Sequence, residues 1–175
     1  MLMTKKQFTV FLILIALILA GSFGYQVWRT PEGLDGPYAV ERVVDGDTIV
    51  VRMGADAVKV RMIGIDTPES VHSDPEKNTP EGEAASEYVK AMLTDEKVYL
   101  AYDVGIQDRY GRTLAYVYLA DGKTMVNLVL IQEGYALTMT IPPNTQYADI
   151  FYAALLQARA DHKGFWETGF FSLEE

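Results

Sequence analysis

The chain contains no cysteine among its 175 residues and only two histidines. Without cysteine it can form no disulfide framework and cannot be a lipid-modified lipoprotein, so the folded domain must be stabilised by packing. The chain is long enough for one domain with a hydrophobic core. It shows no internal repeat and no low-complexity tract.

Positive charge is also scarce. The formal net charge is −9, and residues 1–30 hold three positive charges and no negative one, so residues 31–175 carry −12. Surfaces that follow a nucleic-acid backbone are usually basic, and this composition argues against such a surface. It does not exclude a small site in which a cation and a few arginines dominate the local field.

Charge is absent from residues 8–25, FTVFLILIALILAGSFGY, which follow two lysines. Such a run is either a secretory signal peptide or a short membrane anchor. Neither Ala20 nor Gly24 ends a clean A-x-A cleavage site, which favours the uncleaved anchor. The preceding lysines favour an N-terminus inside the cell and a domain outside it. We therefore expect residues 1–28 to be a signal peptide or anchor, and the protein to be extracytoplasmic, membrane-anchored or secreted.

The rest of the chain divides into a linker and one domain. Residues 29–37 are rich in proline, glycine and charge, which is typical of a linker. Residues 38–170 form the predicted domain, and 171–175 form a tail. Dense β-branched residues and turn signals predict five strands, at 38–45, 47–53, 57–65, 97–103 and 113–120.

Three helices are predicted between and after these strands. The first begins at Thr79-Pro80, and the second covers Met125–Glu133 and ends at Gly134. Asn144 or Thr145 opens the third, which has an apolar stripe expected in the core: Tyr147, Ile150, Phe151, Ala154, Leu155 and Ala158. This order predicts a mainly β protein with helices (α+β), a five-stranded OB-fold barrel with about three helices, preceded by the N-terminal hydrophobic helix.

Two aspartates interrupt an apolar strand pattern in DGDT, residues 45–48. On a straight strand both would face the apolar side, where a bare carboxylate is unfavourable. Because aspartate before glycine is typical of turns and bulges, we expect Asp45 and Gly46 to form a bulge that directs Asp47 towards the mouth of the barrel. Asp47 would then approach Asp66 on a neighbouring strand.

Two adjacent carboxylates repel each other unless a cation lies between them. Oxygen ligands without histidine or cysteine select Ca²⁺ or Mg²⁺ rather than zinc. The alternative interpretation is that Asp47 and Asp66 are ordinary turn residues.

Two arginines and one glutamate lie near these aspartates in the sequence. Arg61 and Arg112 offer guanidinium groups that bind phosphate, and with a divalent cation they would stabilise the transition state of phosphoryl transfer. The alternative is ordinary ion pairing with nearby acids. Glu69 follows a proline that stiffens its loop, so it could orient or deprotonate a water near a metal. Taken alone, it is more typical of a surface residue.

Together these fragments resemble the staphylococcal nuclease (thermonuclease) family. The likeness covers residues 38–168 and rests on four stretches, VVDGDTIVV, VRMIGIDTPES, DRYGRTLAYVYLADGKTMVN and GFWE. It implies an OB-fold barrel and a Ca²⁺-dependent phosphodiesterase that acts on DNA and RNA. In-line attack by water would break the P–O5′ bond and leave a 3′-phosphate. We expect a monomer and a single-stranded or frayed substrate.

The resemblance also implies a role for each matching residue. Asp47, Asp66 and the main-chain carbonyl of Thr67 would bind Ca²⁺, and Glu69 would be the general base or orient the water. The remaining residues would contact the substrate, Arg61 and Arg112 at the scissile phosphate, Tyr110 at the nucleotide and Arg109 at a terminal phosphate.

One stretch departs from the family pattern. After Gly134 the staphylococcal enzyme has two tyrosines on which a base packs, whereas ALTMTIPPN, residues 136–144, has no aromatic residue. Since stacking contributes about 1–3 kcal/mol per base, we predict weaker or differently distributed substrate affinity. The alternatives to a nuclease are a non-catalytic OB-fold module that binds nucleic acid or peptide, and a structural extracellular domain. The residue types found at the metal and phosphate positions favour the nuclease.

Overall fold

A computed structural model describes residues 33–71, 74, 76 and 78–172. The predicted signal peptide or anchor, 1–28, lies outside the described residues. Within the described part of the chain, no helix is long and apolar enough to cross a membrane.

A closed barrel of five strands forms the centre of the domain. In chain order the strands are β1 (Asp35–Asp45), β2 (Thr48–Met53), β3 (Asp56–Met62), β4 (Gly64–Asp66), β5 (Lys97–Ala101), β6 (Thr113–Tyr118) and β7 (Leu137–Met139). The barrel order is β1-β2-β3-β6-β5, and its pairs are antiparallel except for the parallel pair of β3 and β6. The predicted five-stranded barrel is confirmed.

The described residues form three α-helices, α1 (Pro80–Leu93), α2 (Val126–Gln132) and α3 (Ala148–Ala160), and a short 3-10 helix at Gly164–Trp166. At the start of α1 the Thr79 hydroxyl accepts a hydrogen bond from the Gly82 amide at 3.0 Å, as expected for an N-cap. α2 is followed by Gly134 at a φ of +75°, which confirms the predicted glycine after its end.

The predicted start of the third helix at Asn144 or Thr145 is wrong. α3 begins at Ala148, because the side-chain amide of Asn144 makes its hydrogen bonds to another loop and not to the first turn of a helix. Its oxygen accepts from the Gly105 amide at 2.7 Å, and its nitrogen donates to the Gly105 carbonyl at 2.8 Å. Asn144 therefore fastens two loops together instead of capping a helix.

The apolar stripe of α3 is narrower than predicted. Phe151, Leu155 and Ala158 are buried, whereas Ile150 is 52% exposed. Adjacent residues on a helix point about 100° apart, so Ile150 lies off the line that passes through Phe151. Its predicted place in the core is wrong.

The predicted third strand, residues 57–65, is broken into two. β3 ends at Met62, and β4 pairs with β7 in a separate two-stranded sheet. Gly64 has a φ of +79°, and a Cβ there would lie 2.6 Å from the ring of Phe151. The buried amide of Asn127, on α2, donates to the carbonyl of Ile63 at 2.8 Å. Contacts with Phe151 and Asn127, which lie later in the chain, thus end β3 and turn the chain at Gly64.

β1 begins inside the segment predicted as linker. Asp35 pairs with Leu100 in the barrel, and its carboxylate accepts hydrogen bonds from the hydroxyls of Tyr38 and Tyr102, both at 2.7 Å. These contacts explain why β1 starts before residue 38. At the other end Phe171, placed in the predicted tail, is buried against Phe165 and Trp166.

Candidate active site

The turn between β1 and β2 places Asp45 and Asp47 at one end of the barrel. The register of the strand pair shifts between Val43 and Asp45, which is the signature of a bulge. Gly46 and Asp47 then form the turn into Thr48. The bulge therefore lies just before Asp45, close to where the sequence predicts it.

Three side chains form what we call the acid–arginine cluster, namely Asp47, Arg61 and Asp66. The Arg61 guanidinium contacts Asp47 at 2.8 Å and Asp66 at 2.9 Å, and it donates to the carbonyl of Ile65 at 3.0 Å. The Arg61 side chain is only 12% exposed. The expected approach of the two aspartates is therefore observed, and so is the ion pairing considered as the alternative role of Arg61.

Burial dominates the electrostatics of this cluster. Loss of solvation raises the pKa of Asp47 above its ordinary value, although Arg61 and a hydrogen bond from Thr48 act in the opposite direction. Loss of solvation likewise raises the pKa of Asp66, and the neighbouring charge of Asp47 adds to that effect despite Arg61. Arg61 therefore does not fully offset the desolvation of the buried Asp47 and of Asp66, whose side chain is 46% exposed. An additional cation would stabilise the ionised forms of both carboxylates.

Thr67 borders the cluster directly. Its amide donates to Asp47 at 3.3 Å, and its buried hydroxyl oxygen has no hydrogen-bond partner within the described residues. The atoms available as metal ligands are thus hard oxygens, which suit Ca²⁺ or Mg²⁺. In the described ranges no three acidic, histidine or cysteine side chains group closely enough to hold an ion. The residues fit a hard cation whose coordination is completed by main-chain, water or substrate oxygens.

Glu69 lies in the loop that follows β4. Its residue is exposed, and it is not among the residues that line the cleft described next. Its carbonyl accepts a hydrogen bond from the Thr79 amide at 2.9 Å, so the start of α1 holds this part of the loop. The predicted catalytic role of Glu69 stays a prediction.

A cleft of about 540 Å³ opens beside the acid–arginine cluster. The residues that line it include Arg61, Arg109, Tyr110, Arg112, Met139 and Ile141. All four cationic or aromatic residues predicted to contact the substrate therefore meet at one cavity, although they come from β3 and from the loop before β6.

The loop that presents Arg112 is organised by Asp108, which the sequence analysis did not single out. One Asp108 oxygen accepts from the amides of Tyr110 and Arg112, both at 2.9 Å, and the other accepts from the Arg112 side chain at 2.6 Å. Burial opposes ionisation of Asp108, but these hydrogen bonds outweigh it and lower its pKa. An aspartate three residues before Gly111 is a turn signal that could have identified it.

Tyr110 is the exposed aromatic surface of the cleft, with 68% of its area accessible. The guanidinium carbon of Arg109 lies 4.8 Å from its ring centroid, and that of Arg112 lies 5.6 Å away. Arg109 also donates to the Tyr110 hydroxyl at 2.7 Å. The two arginines and the ring thus form a cationic, partly aromatic surface.

The stretch without aromatic residues, 136–144, contributes aliphatic side chains to the same cleft. Met139 and Ile141 line it and are 38% and 62% exposed. They offer apolar contact area without a ring on which a base could stack.

A second cluster, which we call the serine network, consists of Asp45, Ser70 and Ser86. One oxygen of Asp45 accepts from the Ser70 hydroxyl at 2.7 Å, from the Ser86 hydroxyl at 3.1 Å and from the Gly46 amide at 2.9 Å. The two serine oxygens lie 2.9 Å apart. The contact of Asp45 with the Gly46 amide agrees with the turn predicted from the sequence, whereas neither serine was predicted to take part.

Comparison with known proteins agrees with the fold and the residue pattern. The profile of the family described as "Staphylococcal nuclease homologue" matches residues 59–168. A thermonuclease of Staphylococcus intermedius is 43% identical over 133 residues, which cover 74% of this chain and 76% of that protein. A thermonuclease of Staphylococcus hyicus is 41% identical over 172 residues, which cover 93% and 98%.

Similarity extends to more distant bacteria. The endonuclease YncB of Bacillus subtilis (strain 168) is 38% identical over 129 residues, which cover 73% of this chain and 60% of that protein. From the profile match and these identities, the chain belongs to the staphylococcal nuclease homologue family.

Proposed function

We propose that the protein is a Ca²⁺-dependent nuclease that hydrolyses phosphodiester bonds of DNA and RNA and leaves 3′-phosphate ends. The observation that supports this most directly is the meeting of Arg61 and Arg112 at one cleft, with Asp47 and Asp66 both paired with Arg61. This arrangement combines donors for a phosphate with oxygens for a hard cation. The names of the relatives, thermonuclease and endonuclease, support the same reaction.

In this proposal Ca²⁺ would be held by Asp47, Asp66 and the carbonyl of Thr67. The bound ion would supply positive charge that stabilises the negative charge developing on the phosphate. The raised pKa values of the two aspartates support this assignment, because Arg61 alone does not offset the loss of solvation of their ionised forms.

The two arginines bind the scissile phosphate. Each guanidinium can donate two parallel hydrogen bonds to phosphate oxygens and keeps its charge at any physiological pH. Arg112 is held by Asp108, which fixes the direction of its side chain before substrate arrives. Such pre-organised donors lower the barrier because they need no rearrangement when charge builds up on the phosphate.

Glu69 acts on the attacking water. It orients the water or accepts its proton, while the water oxygen forms a bond to phosphorus and the P–O5′ bond breaks. The 5′-oxygen takes up one proton, which balances the one that the water gives up, and departs as a hydroxyl group. The phosphate keeps the water oxygen and remains on the 3′ side.

Substrate binding follows from the charge and shape of the cleft. Arg109 and Tyr110 contact the nucleotide and a neighbouring phosphate, and Met139 and Ile141 give the base an aliphatic surface. Since residues 31–175 carry a net charge of −12, a long duplex is repelled outside the cleft. We infer a single-stranded or frayed substrate and a monomeric enzyme.

Cleavage assays with the full-length protein test this function. Denatured DNA and RNA are incubated with Ca²⁺ or with a chelator, and the product ends are tested for extension by a polymerase before and after phosphatase treatment. We expect cleavage only with Ca²⁺, and extension only after the 3′-phosphate is removed. Binding of single-stranded DNA without any cleavage would instead identify a non-catalytic module.

The proposed location is outside the cytoplasm. The uncharged run at residues 8–25 and the two lysines before it support membrane attachment or secretion. The mass of the mature N-terminus, measured on protein from the membrane and from the medium, distinguishes an anchor from a cleaved signal peptide. Recovery of the intact chain in the soluble cytoplasmic fraction would contradict both.

A further inference from the structure

Asp45 is a buried carboxylate whose surroundings differ from those of a metal ligand. It is 6% exposed, and the donors within 3.1 Å of one of its oxygens are two serine hydroxyls and one main-chain amide. Ser86 lies on α1, which packs against β1, and Ser70 lies in the loop after β4. Asp45 thus ties three segments of the chain to one carboxylate oxygen.

Two contacts hold the backbone at the peptide bond that joins Glu69 to Ser70. Ser70 is the next residue in the chain, and its hydroxyl is held by Asp45. The carbonyl of Glu69 accepts from the amide of Thr79 at 2.9 Å. The first turn of α1 also presses on this loop, since a Cβ added to Gly82 would lie 2.1 Å from the Glu69 carbonyl oxygen.

We propose that Asp45 is a positioning residue that, through Ser70 and Ser86, fixes the Glu69 segment against α1 so that the Glu69 carboxylate is directed at the reacting water. This inference rests on the proposed nuclease function. It assigns Ser70 and Ser86 a part in the reaction although neither residue lines the cleft of the acid–arginine cluster. The direction of a side chain depends on the position of its backbone, and the serine network holds the backbone next to Glu69.

The test removes one hydroxyl at a time from the full-length protein. Ser70→Ala and Ser86→Ala should each lower kcat by roughly 10- to 100-fold, the effect of displacing a catalytic group by about 1 Å. KM and the half-saturating Ca²⁺ concentration should stay within about twofold, since neither serine contacts the arginines or the acids Asp47 and Asp66.

A double-mutant cycle distinguishes positioning from general destabilisation. In a Glu69→Gln background, Ser70→Ala should have almost no further effect on kcat, because the group that it positions is already lost. An equal loss in both backgrounds would overturn the proposal. Thr94→Ala is the matched control, because it removes a hydroxyl that donates to the Lys90 carbonyl at the far end of α1.

Amide hydrogen exchange gives a readout that does not depend on activity. Exchange of the Thr79 amide, which donates to Glu69, should accelerate by about tenfold or more in Ser70→Ala and not in Thr94→Ala. If the wild-type protein shows no Ca²⁺-dependent cleavage, the proposed function fails, and this measurement alone then decides whether the network holds the Glu69 segment. Unchanged exchange in Ser70→Ala would overturn the proposal in either case.

Discussion

The two aspartates of DGDT lie two residues apart and are almost equally buried, with 6% and 7% of their surface exposed. Their surroundings nevertheless differ. Among the described residues, the groups that donate hydrogen bonds to Asp45, in the serine network, are neutral. Asp47, in the acid–arginine cluster, faces the charge of Arg61 and the second carboxylate of Asp66. A buried carboxylate can therefore be stabilised by hydrogen bonds from neutral groups or by a neighbouring positive charge. Which of the two stabilises it indicates the role of the residue.

Hydrogen bonds from neutral groups hold a carboxylate in one position, because these groups belong to several segments of the fold. Two carboxylates that share one arginine instead keep an excess of negative charge, which favours the binding of an additional cation. The raised pKa values of Asp47 and Asp66 are the sign of that preference. The comparison predicts that substitutions in the acid–arginine cluster alter chemistry most, and that those in the serine network alter geometry and stability.

The largest expected effect is that of Arg61→Ala. If this guanidinium stabilises the charge of the transition state, kcat should fall by roughly 10³- to 10⁵-fold, as for other arginines in phosphoryl transfer. Arg52→Ala is the control, because Arg52 is an exposed arginine on β2 that pairs with Glu41 and does not line the cleft. Steady-state cleavage rates measure both, and a loss below about tenfold for Arg61→Ala would contradict its assignment.

Asp47→Asn should have the next largest effect, and the effect has two parts of opposite sign. Loss of a charged ligand should weaken Ca²⁺ binding on the order of 10- to 100-fold and lower the rate accordingly. In the absence of Ca²⁺ the variant should melt at a higher temperature, because burial disfavours the ionised form that asparagine cannot adopt. Calcium titration calorimetry and thermal melts with chelator check the two parts separately.

Asp45→Asn is the counterpart that sharpens the comparison. Asparagine weakens charge-assisted hydrogen bonds from two serines and an amide, so we expect a loss of about 1–2 kcal/mol in the free energy of unfolding. Calcium affinity should stay within about twofold. Chemical denaturation and calcium titration measure these quantities, and a larger effect on Ca²⁺ affinity than on stability would mean that the two aspartates have been assigned in the wrong order.

The dependence on pH follows from the raised pKa values of Asp47 and Asp66. A folded-state pKa above the unfolded value means that the folded protein binds more protons between the two values. The metal-free protein should therefore lose stability as the pH rises through that window. Protons also compete with Ca²⁺, so the half-saturating Ca²⁺ concentration should rise as the pH falls through the raised pKa.

Melts of the metal-free protein and calcium titrations over the acidic range measure both trends. Asp47→Asn, which cannot titrate at that position, should show a weaker pH dependence in each. A half-saturating Ca²⁺ concentration that stays constant down to the pH at which free aspartate titrates would contradict the prediction.

Local signals explain most of what the sequence predicted. Thr79-Pro80 and Gly134 define helix ends through their own backbone preferences, and the DGDT turn follows from aspartate and glycine at adjacent positions. The resemblance to the nuclease family supplied the roles of the site residues, which the spacing alone left open between a cation site and ordinary turns and ion pairs.

Long-range contacts explain what the sequence could not predict. Asp45 and Ser86 are 41 residues apart, and Gly105 and Asn144 are 39 residues apart. The break after β3 depends on Phe151, which packs against Gly64 from α3. No periodicity within one segment encodes such contacts, so the serine network and the two-stranded sheet of β4 and β7 became evident only in the folded chain.

The smallest expected effect lies in the aliphatic lining of the cleft, away from both clusters. Ile141 is 62% exposed, so Ile141→Ala removes little contact area and should raise KM by no more than about threefold. Ile141→Tyr should lower KM by about fivefold, because a ring provides a stacking surface worth roughly 1 kcal/mol or more per base. In both variants kcat should remain unchanged, since Ile141 belongs to neither cluster.

Steady-state kinetics on a short single-stranded oligonucleotide measure the two constants. A change in kcat that exceeds the change in KM would mean that the aliphatic lining also orients the phosphate. The division of the site into the acid–arginine cluster and the serine network would then be incomplete.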